Sequence, residues 1–123
     1  MTFEENKKAI YLQIEDRICD EIMQGIFNED ERIPSVREYA ADLEVNPNTV
    51  MRSYERLTNR GLIFNKRGLG FFVSPDAKRR IILERREELM SKQLPAIFSL
   101  MKNLNITPGQ LAEEYEKYLN YNK

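Results

Sequence analysis

The stretch VNPNTVMRSYERL, residues 45–57, carries side chains that suit contact with nucleic acid. Arg52 and Arg56 are four residues apart, so a helix places them on one face. An arginine can form two hydrogen bonds with the edge of a guanine, and an asparagine such as Asn48 can do the same with an adenine. The pattern fits a DNA-reading helix, but it also fits an ordinary solvated helix face, and this segment alone leaves both interpretations open.

A helical wheel separates the same segment into two faces. Tyr54 and Leu57 fall within about 40° of Val50, which predicts that the three pack against the protein core. The opposite face is polar and has no aliphatic residue; it consists of Asn48, Arg52, Glu55, Arg56 and Asn59, with Thr49 on a flank.

The N-terminal part of the second helix in a helix-turn-helix reaches the base edges. Asn48, Thr49 and Arg52 occupy that part of the segment and are predicted to read bases. Arg56 lies one turn further along, where a phosphate contact is expected.

The sequence predicts two helix starts, one before this segment and one at its beginning. Ser35 is a predicted N-cap, and Glu38, three residues later, completes a capping box. Asn46 is the predicted N-cap of the next helix, with Pro47 at its first position, where a missing N–H is tolerated. Residues 44–46 join the two helices, which is helix-turn-helix spacing.

A longer helix is predicted upstream, over residues 9–25. Isoleucines recur there every four residues, at Ile10, Ile14, Ile18 and Ile22, as on the apolar face of a helix. Cys19, the only cysteine, is interpreted as a buried packing residue rather than a reactive thiol, because no nearby lysine or histidine would activate it.

A β-hairpin is predicted after Gly61, where the apolar runs 62–64 and 71–73 flank a turn. The turn carries two basic residues and two glycines: Lys66, Arg67, Gly68 and Gly70. Glycines allow the backbone to approach a phosphate closely, and basic side chains suit a narrow minor groove. The alternative is a turn that simply needs positive φ angles.

The charge distribution favours a local anionic partner. The chain of 123 residues has a net charge of −1. Residues 46–67, however, hold five basic side chains against Glu55 alone, a net charge of +4. Arg37 lies at a helix N-terminus, where the helix dipole disfavours a cation. This position predicts either a phosphate partner or an ion pair within the chain.

The composition excludes several classes of protein. The chain has no histidine and one cysteine, which excludes a His-based catalytic triad and a zinc site of Cys and His ligands within one chain. We therefore expect no enzyme, no metal and no cofactor. No apolar run approaches the roughly 20 residues of a membrane helix. Residues 1–8 lack the apolar core of a signal peptide, so we expect a cytoplasmic protein without membrane contact.

The last third of the chain predicts helices that need a partner. A near-heptad apolar pattern comprises Leu83, Met90, Leu94, Ile97, Met101 and Leu104. Pro95 must kink or break this helix, or begin a new one. Thr107 and Gln110 form a second predicted capping box. So few residues make a thin core, and a symmetric dimer would bury these side chains.

The fold class that follows is mainly α with a small β-hairpin. Residues 1–75 are predicted to form a winged helix-turn-helix domain, and residues 76–123 a short all-α dimerisation region. The candidate DNA-binding residues are Ser35, Arg37, Asn46, Asn48, Thr49, Arg52, Arg56, Lys66, Arg67, Gly68 and Gly70. The alternative function is a winged-helix protein-interaction module without specific DNA binding.

The combined pattern resembles the GntR family of bacterial transcription regulators. The matching segments are IYLQIEDRICDEIMQG and IPSVREYAADLEVNPNTVMRSYERLTNRGLIFNKRGLGFFVS, which lie within residues 10–74. The Asn-Pro-Asn-Thr-Val start of the second helix and the short helical tail are similar to the YtrA-type subgroup. The resemblance implies a homodimer formed through the C-terminal helices, which binds an inverted-repeat operator in double-stranded DNA and usually represses transcription.

The resemblance also implies roles for single residues. Arg37 matches the family's DNA-contacting arginine, Thr49 the threonine of the recognition helix, and Arg52 an arginine usual in the subgroup. Gly68 and Gly70 match the glycines of the wing. Pro47 occupies a position where many relatives carry a DNA-contacting arginine, so their operator sequences do not transfer to this chain. No small-molecule effector is implied by any residue.

Overall fold

The computed structural model describes residues 8–123, which divide into one compact unit ending at Leu83 and a second one beginning at Glu84. The stretch on which the prediction of no signal peptide rests lies, except for Lys8, outside the described residues. Among residues 8–123, no helix combines the length and the apolar character needed to cross a membrane.

Three helices form the first part of the first unit: α1 (Ile10–Met23), α2 (Val36–Leu43) and α3 (Pro47–Asn59). Ile14, Ile18 and Ile22 are buried, as their spacing predicted, and Cys19 packs among them with 2% of its surface exposed. Ile10 departs from the prediction, since it is 46% exposed. It is the first residue of α1.

The predicted caps of α2 and α3 are confirmed. The Ser35 hydroxyl accepts a hydrogen bond from the Glu38 N–H, and the Glu38 carboxylate accepts one from the Ser35 N–H. The Asn46 side chain accepts from the Asn48 N–H, and Pro47 occupies the first turn of α3. Residues 44–46 join the helices, so the helix-turn-helix is present.

The wing is an antiparallel hairpin of β1 (Ile63–Lys66) and β2 (Gly70–Val73), in which Ile63 pairs with Val73. Residues 30–33 also bond to β2, through an isolated bridge and not as a further strand. The Ile33 N–H donates to the Phe71 carbonyl at 2.9 Å, and Arg32 pairs with Phe72. The hairpin was predicted from its turn, whereas this third pairing was not.

Tyr54 lies where the helices and the wing meet, and it is fully buried. Its ring stacks edge-on against Phe71 of β2 at 5.1 Å between centroids and contacts Tyr39 of α2 at 6.2 Å. Its hydroxyl donates to the Pro34 carbonyl at 2.6 Å. With Val50 and Leu57 also fully buried, the predicted core face of α3 is confirmed.

The first unit continues past Pro75 into α4 (Ala77–Glu88). Ala77 and Ile81 are buried in the core of the first unit, and Arg80 donates to the Gly61 carbonyl at 3.1 Å. The hydrophobic core therefore extends further along the chain than the predicted boundary at residue 75. That boundary, as a division between two functional domains, stays a prediction.

The second unit contains the end of α4, a π-helical segment (Leu89–Gln93), α5 (Leu94–Asn103) and α6 (Pro108–Tyr121). Pro95 is accommodated without a break. A proline lacks an N–H and clashes with the carbonyl four residues earlier. Just before it the helix widens, and the Leu94 N–H donates to the Leu89 carbonyl, five residues back. The capping box of Thr107 and Gln110 is confirmed.

No residue of the second unit is buried. The predicted dimerisation residues fall into two groups by exposure. Leu83, Met90, Ile97 and Leu104 are 53%, 62%, 44% and 69% exposed, while Leu94 and Met101 are half-buried. Since a π turn holds about one more residue than an α turn, it rotates the residues before it relative to those after it. The burial of these side chains in a dimer stays a prediction.

Candidate nucleic-acid interface

The outward face of α3 presents the side chains that the sequence singled out. Asn48, Arg52 and Arg56 are exposed, and Thr49 is half-buried on the flank. The opposite face is locked into the core, so the helix cannot rotate without exposing Val50, Tyr54 and Leu57. Asn46, as the N-cap, fixes the residue at which the helix begins and thereby which side chains lead its N-terminal end.

Arg52 lies on an aromatic ring from another helix. The carbon at the centre of its guanidinium is 3.8 Å from the centroid of the Tyr11 ring in α1. The Ser53 hydroxyl donates to the Tyr11 carbonyl at 2.6 Å, which joins α1 to α3 at the same position. A cation over the face of an aromatic ring is attracted to it, and this contact restricts the positions that the guanidinium can take.

Arg56 differs from Arg52 because it is engaged within the protein. Its Nε donates to a carboxylate oxygen of Glu15 at 2.6 Å, and Arg60 donates to the other oxygen at 2.8 Å. The side chain of Glu15 is only 4% exposed, while that of Arg56 is 47% exposed. The hydrogen bond with Glu15, followed by its negative charge, raises the pKa of Arg56.

The predicted role of Arg56 is therefore modified in one respect. The sequence predicted a phosphate contact for Arg56, and the structure adds that its Nε is bonded to Glu15. The side chain is still 47% exposed, and its contact with a phosphate stays a prediction. Glu15 was missed because its partners lie 41 and 45 residues away. One feature of the sequence could have indicated that Glu15 faces other helices. It lies four residues from both Tyr11 and Cys19, on the same face of α1.

The start of α2 provides a second basic position. Arg37 is exposed, and no ion pair joins it to another residue within the range 8–123. The ion pair that the sequence allowed for Arg37 is thus not formed there. Ser35 is engaged in the capping box, and the bond from its N–H is the main cause that holds the pKa of Glu38 below its usual value, followed by the Ser35 hydroxyl.

The wing provides the third basic position. Lys66 ends β1, and its Nζ lies 4.5 Å from the centroid of the Phe72 ring and 5.7 Å from that of Phe64. Arg67 is exposed in the turn that follows. Gly68 has a φ of +80°, and a Cβ added to it would meet no atom within 4 Å. Position 68 therefore favours glycine because of its positive φ angle, and not because a larger side chain would meet neighbouring atoms of this chain.

The wing turn is tied to the start of α2 by Arg32, which the sequence did not single out. Its Nε donates to the Leu69 carbonyl at 3.1 Å, and its Nη2 lies 3.5 Å from the Glu38 carboxylate. Gly70 has a φ of +110°, and a Cβ there would lie 3.0 Å from the Arg32 Nε. The two outer basic positions are thus connected through one side chain.

Within residues 8–123, no three acidic, cysteine or histidine side chains converge as metal ligands would. What the arrangement offers is hydrogen-bond donors and positive charge on α2, α3 and the wing, a combination suited to an anionic polymer.

The family follows from this arrangement together with one comparison. Residues 10–73, which span α1 to the end of the wing, match the model of the bacterial regulatory proteins of the gntR family. The chain belongs to this family. The resemblance noted from the sequence is thereby confirmed, and with it the winged helix-turn-helix and the DNA-binding character of the first unit.

Two relatives from Bacillus subtilis share most of the chain. The HTH-type transcriptional regulator YhcF is 33% identical over 109 residues, which cover 89% of this chain and 88% of that protein. The HTH-type transcriptional repressor YtrA is 35% identical over 85 residues, which cover 69% of this chain and 65% of that protein. These matches agree with the similarity to the YtrA-type subgroup.

Solved structures agree as well. A putative transcriptional regulator of the GntR family from Bacteroides thetaiotaomicron superposes with a TM-score of 0.79 and 44% identity, covering 92% of this chain and 99% of that one. The DNA-binding domain of AraR in complex with its operator ORR3 superposes with a TM-score of 0.54 and 27% identity, covering 60% of this chain and 89% of that one.

Proposed function

We propose that this GntR-family regulator binds a specific inverted-repeat operator as a homodimer and represses transcription. The observation that carries the proposal is the division of α3 into two faces. Val50, Tyr54 and Leu57 are fully buried, while Asn48 and Arg52 are held outward at the N-terminal half of the helix. This is the half of a recognition helix that reaches base edges in the major groove.

The proposed contacts divide into two classes. Asn48, Thr49 and Arg52 read bases, because asparagine and arginine can pair with adenine and guanine edges. The remaining candidate residues hold the duplex through its backbone, which positions the protein without reading sequence. They are Ser35, Arg37, Asn46, Arg56, Lys66, Arg67, Gly68 and Gly70. The complex between the AraR DNA-binding domain and its operator supports a DNA partner for a chain of this fold.

The homodimer is supported by apolar surface that a single chain leaves uncovered. In the second unit, Met90, Leu100 and Leu104 are each more than 60% exposed, and none of its residues is buried. A contiguous apolar surface on a soluble protein commonly marks an interface. In a two-fold dimer the same patch on each chain covers the other. We therefore propose residues 76–123 as the dimerisation region.

Repression in this proposal is steric. A dimer would insert its two α3 helices into major grooves about one helical turn apart, roughly 34 Å along the duplex. An occupied operator then excludes the polymerase from a promoter that overlaps it. The relative YtrA is a transcriptional repressor by its name, which supports this direction of control. A protein with this DNA target would act in the cytoplasm, and the proposal includes no enzymatic step.

The proposal is tested by selection of bound sequences from a random pool of duplex DNA, with the native mass of the free protein measured in the same buffer. We expect a palindromic consensus together with the mass of a dimer. A dimer that enriches no sequence would overturn the proposal and favour a protein-interaction module. A non-palindromic consensus bound by a monomer would overturn the homodimer while retaining DNA recognition.

A further inference from the structure

Tyr11 is placed so that its ring supports the arginine at the centre of the proposed reading face. The guanidinium of Arg52 lies over that ring at 3.8 Å, well inside the roughly 6 Å at which a cation is attracted to an aromatic face. The backbone of Tyr11 is fixed as well, since its carbonyl accepts a hydrogen bond from Ser53 of α3 at 2.6 Å. The backbone of Tyr11 is therefore bonded to α3, the same helix that carries Arg52.

The contact matters because few other groups hold Arg52. The two carboxylate oxygens of Glu15, the buried acid nearby on α1, are taken by Arg56 and Arg60. Within residues 8–123, no carboxylate pairs with Arg52. An exposed arginine without such support samples many rotamers, and ordering it on binding costs conformational entropy.

Stacking also determines which atoms of Arg52 remain available. A guanidinium is planar, and its N–H donors lie in that plane. When one face rests on a ring, the donors at its edge still point outward, in the geometry that bidentate contact with a guanine requires. Arg56 lies further from the same ring, at 5.8 Å, and has its Nε bound to Glu15, so it lacks this freedom.

We propose that Tyr11 is a positioning residue that sets sequence specificity by holding the Arg52 guanidinium ready for a base edge. The inference rests on the proposed function, and it adds a residue outside the helix-turn-helix to the determinants of specificity. Tyr11 need not touch DNA for this role. Its contribution is expected in discrimination between sequences and not in general attraction to the duplex.

The experiment compares two substitutions of Tyr11. Tyr11→Phe keeps the ring, and Tyr11→Leu removes it while keeping an apolar side chain. The wild-type consensus defines an operator, and the base pair at which Arg52→Ala loses its preference defines a mismatched operator. For each variant, the ratio of the two dissociation constants measures specificity, and affinity for mixed-sequence DNA measures general attraction.

We expect Tyr11→Leu to reduce the specificity ratio about two- to fivefold, the range of an exposed cation–π contact, with affinity for mixed DNA unchanged. Tyr11→Phe should keep the wild-type ratio. In the Arg52→Ala background, Tyr11→Leu should have no further effect on the ratio, because the supported side chain is absent. A wild-type ratio in folded Tyr11→Leu would overturn the inference, as would an equal loss in Tyr11→Phe.

A second measurement needs no variant, and it tests the inference even if Tyr11→Leu does not fold. In the free wild-type protein, the side-chain protons of Arg52 should show ring-current shifts in the NMR spectrum that reflect the Tyr11 face. Arg52 protons at unshifted positions would overturn the inference without any variant. If the wild-type protein itself enriches no DNA sequence while these shifts are present, the proposed function fails and the contact remains structural.

Discussion

Arg32 joins the wing to the first helix of the helix-turn-helix through the carbonyl of Leu69. Its Nε donates to that oxygen at 3.1 Å, across 37 residues of sequence, while its Nη2 lies 3.5 Å from Glu38 in the capping box of α2. The backbone of Arg32 also pairs with Phe72 of β2. The wing turn therefore has a defined position relative to α2, which is what simultaneous contact with two grooves requires.

Replacing Arg32 tests this connection. Arg32→Met removes the donor and keeps the length, and its predicted cost is about 0.5–1.5 kcal/mol in the free energy of unfolding, as for one hydrogen bond. Amide hydrogen exchange should accelerate in residues 67–70. Affinity for all DNA sequences should fall by a similar factor, because the contacts proposed for the wing are with the DNA backbone. Unchanged exchange in the turn would show that Arg32 does not restrain the wing.

The two wing glycines form a matched pair. Gly68→Ala is expected to cost about 1–2 kcal/mol, because an alanine is strained at a φ of +80° but meets no atom. Gly70→Ala should cost more, since its Cβ would lie 3.0 Å from the Arg32 Nε and displace the bond to Leu69. Urea unfolding measures both. In the Arg32→Met background the excess for Gly70→Ala should become smaller but not vanish, because a φ of +110° lies further from the left-handed region open to alanine than +80° does. An excess of unchanged size would show that Arg32 is not its cause.

Glu15→Gln tests the buried carboxylate that holds Arg56 and Arg60. Glutamine keeps the shape but loses the charge, and we expect a loss of about 1.5–3 kcal/mol in the free energy of unfolding. Asp16→Asn on the same helix is the control. Its carboxylate pairs with Lys8 at 2.6 Å but is 49% exposed, so a change below about 1 kcal/mol is expected. Equal effects in the two variants would contradict the importance of burial at Glu15.

Stability should fall at alkaline pH through two tyrosines. Burial is the main cause that raises the pKa of Tyr39, followed by its hydrogen bond to Glu21, and burial likewise raises the pKa of Tyr54. The unfolded chain ionises its tyrosines near pH 10, whereas the folded chain retains these two protons. The unfolded state then binds fewer protons, so stability is complete below about pH 10 and falls as the pH rises further.

The corresponding measurement follows urea unfolding as a function of pH. Tyr39→Phe should lower stability at neutral pH, because Glu21 loses its hydrogen-bond donor, yet reduce the decline above about pH 10. Tyr115→Phe, which removes a hydroxyl from a 61% exposed side chain, is the control for the substitution itself. A decline that is equally steep in Tyr39→Phe and wild type would exclude Tyr39 as a source of the pH dependence.

Local signals explain why so much of the fold was predictable. The capping boxes at Ser35 and Thr107 and the Asn46–Pro47 start each involve residues at most three apart, and the structure contains all three. The buried face of α3 followed from helical periodicity alone. The outward position of Asn48 and Arg52 followed from the same periodicity, since a helix with one buried face exposes the other.

The remaining features depend on residues far apart in sequence. The bond from Arg32 to Leu69 and the pairing of Glu15 with Arg56 connect separate elements, and no local pattern reports them. The π-helical segment before Pro95 was also not predicted. A helix can accommodate the missing N–H of Pro95 by a kink, a break or a widened turn. The amino-acid sequence around Pro95 does not indicate which of the three forms.

The central claim is that the outward face of α3 reads sequence through Arg52, and parallel selection of DNA by wild type and Arg52→Ala tests it most directly. We predict that Arg52→Ala weakens binding to the wild-type consensus by about 1–3 kcal/mol and relaxes the preference at one base pair in each half-site. Arg56→Ala, after correction for any unfolded fraction, should weaken all sequences alike. An Arg52→Ala protein that selects the wild-type consensus with wild-type affinity would contradict the account.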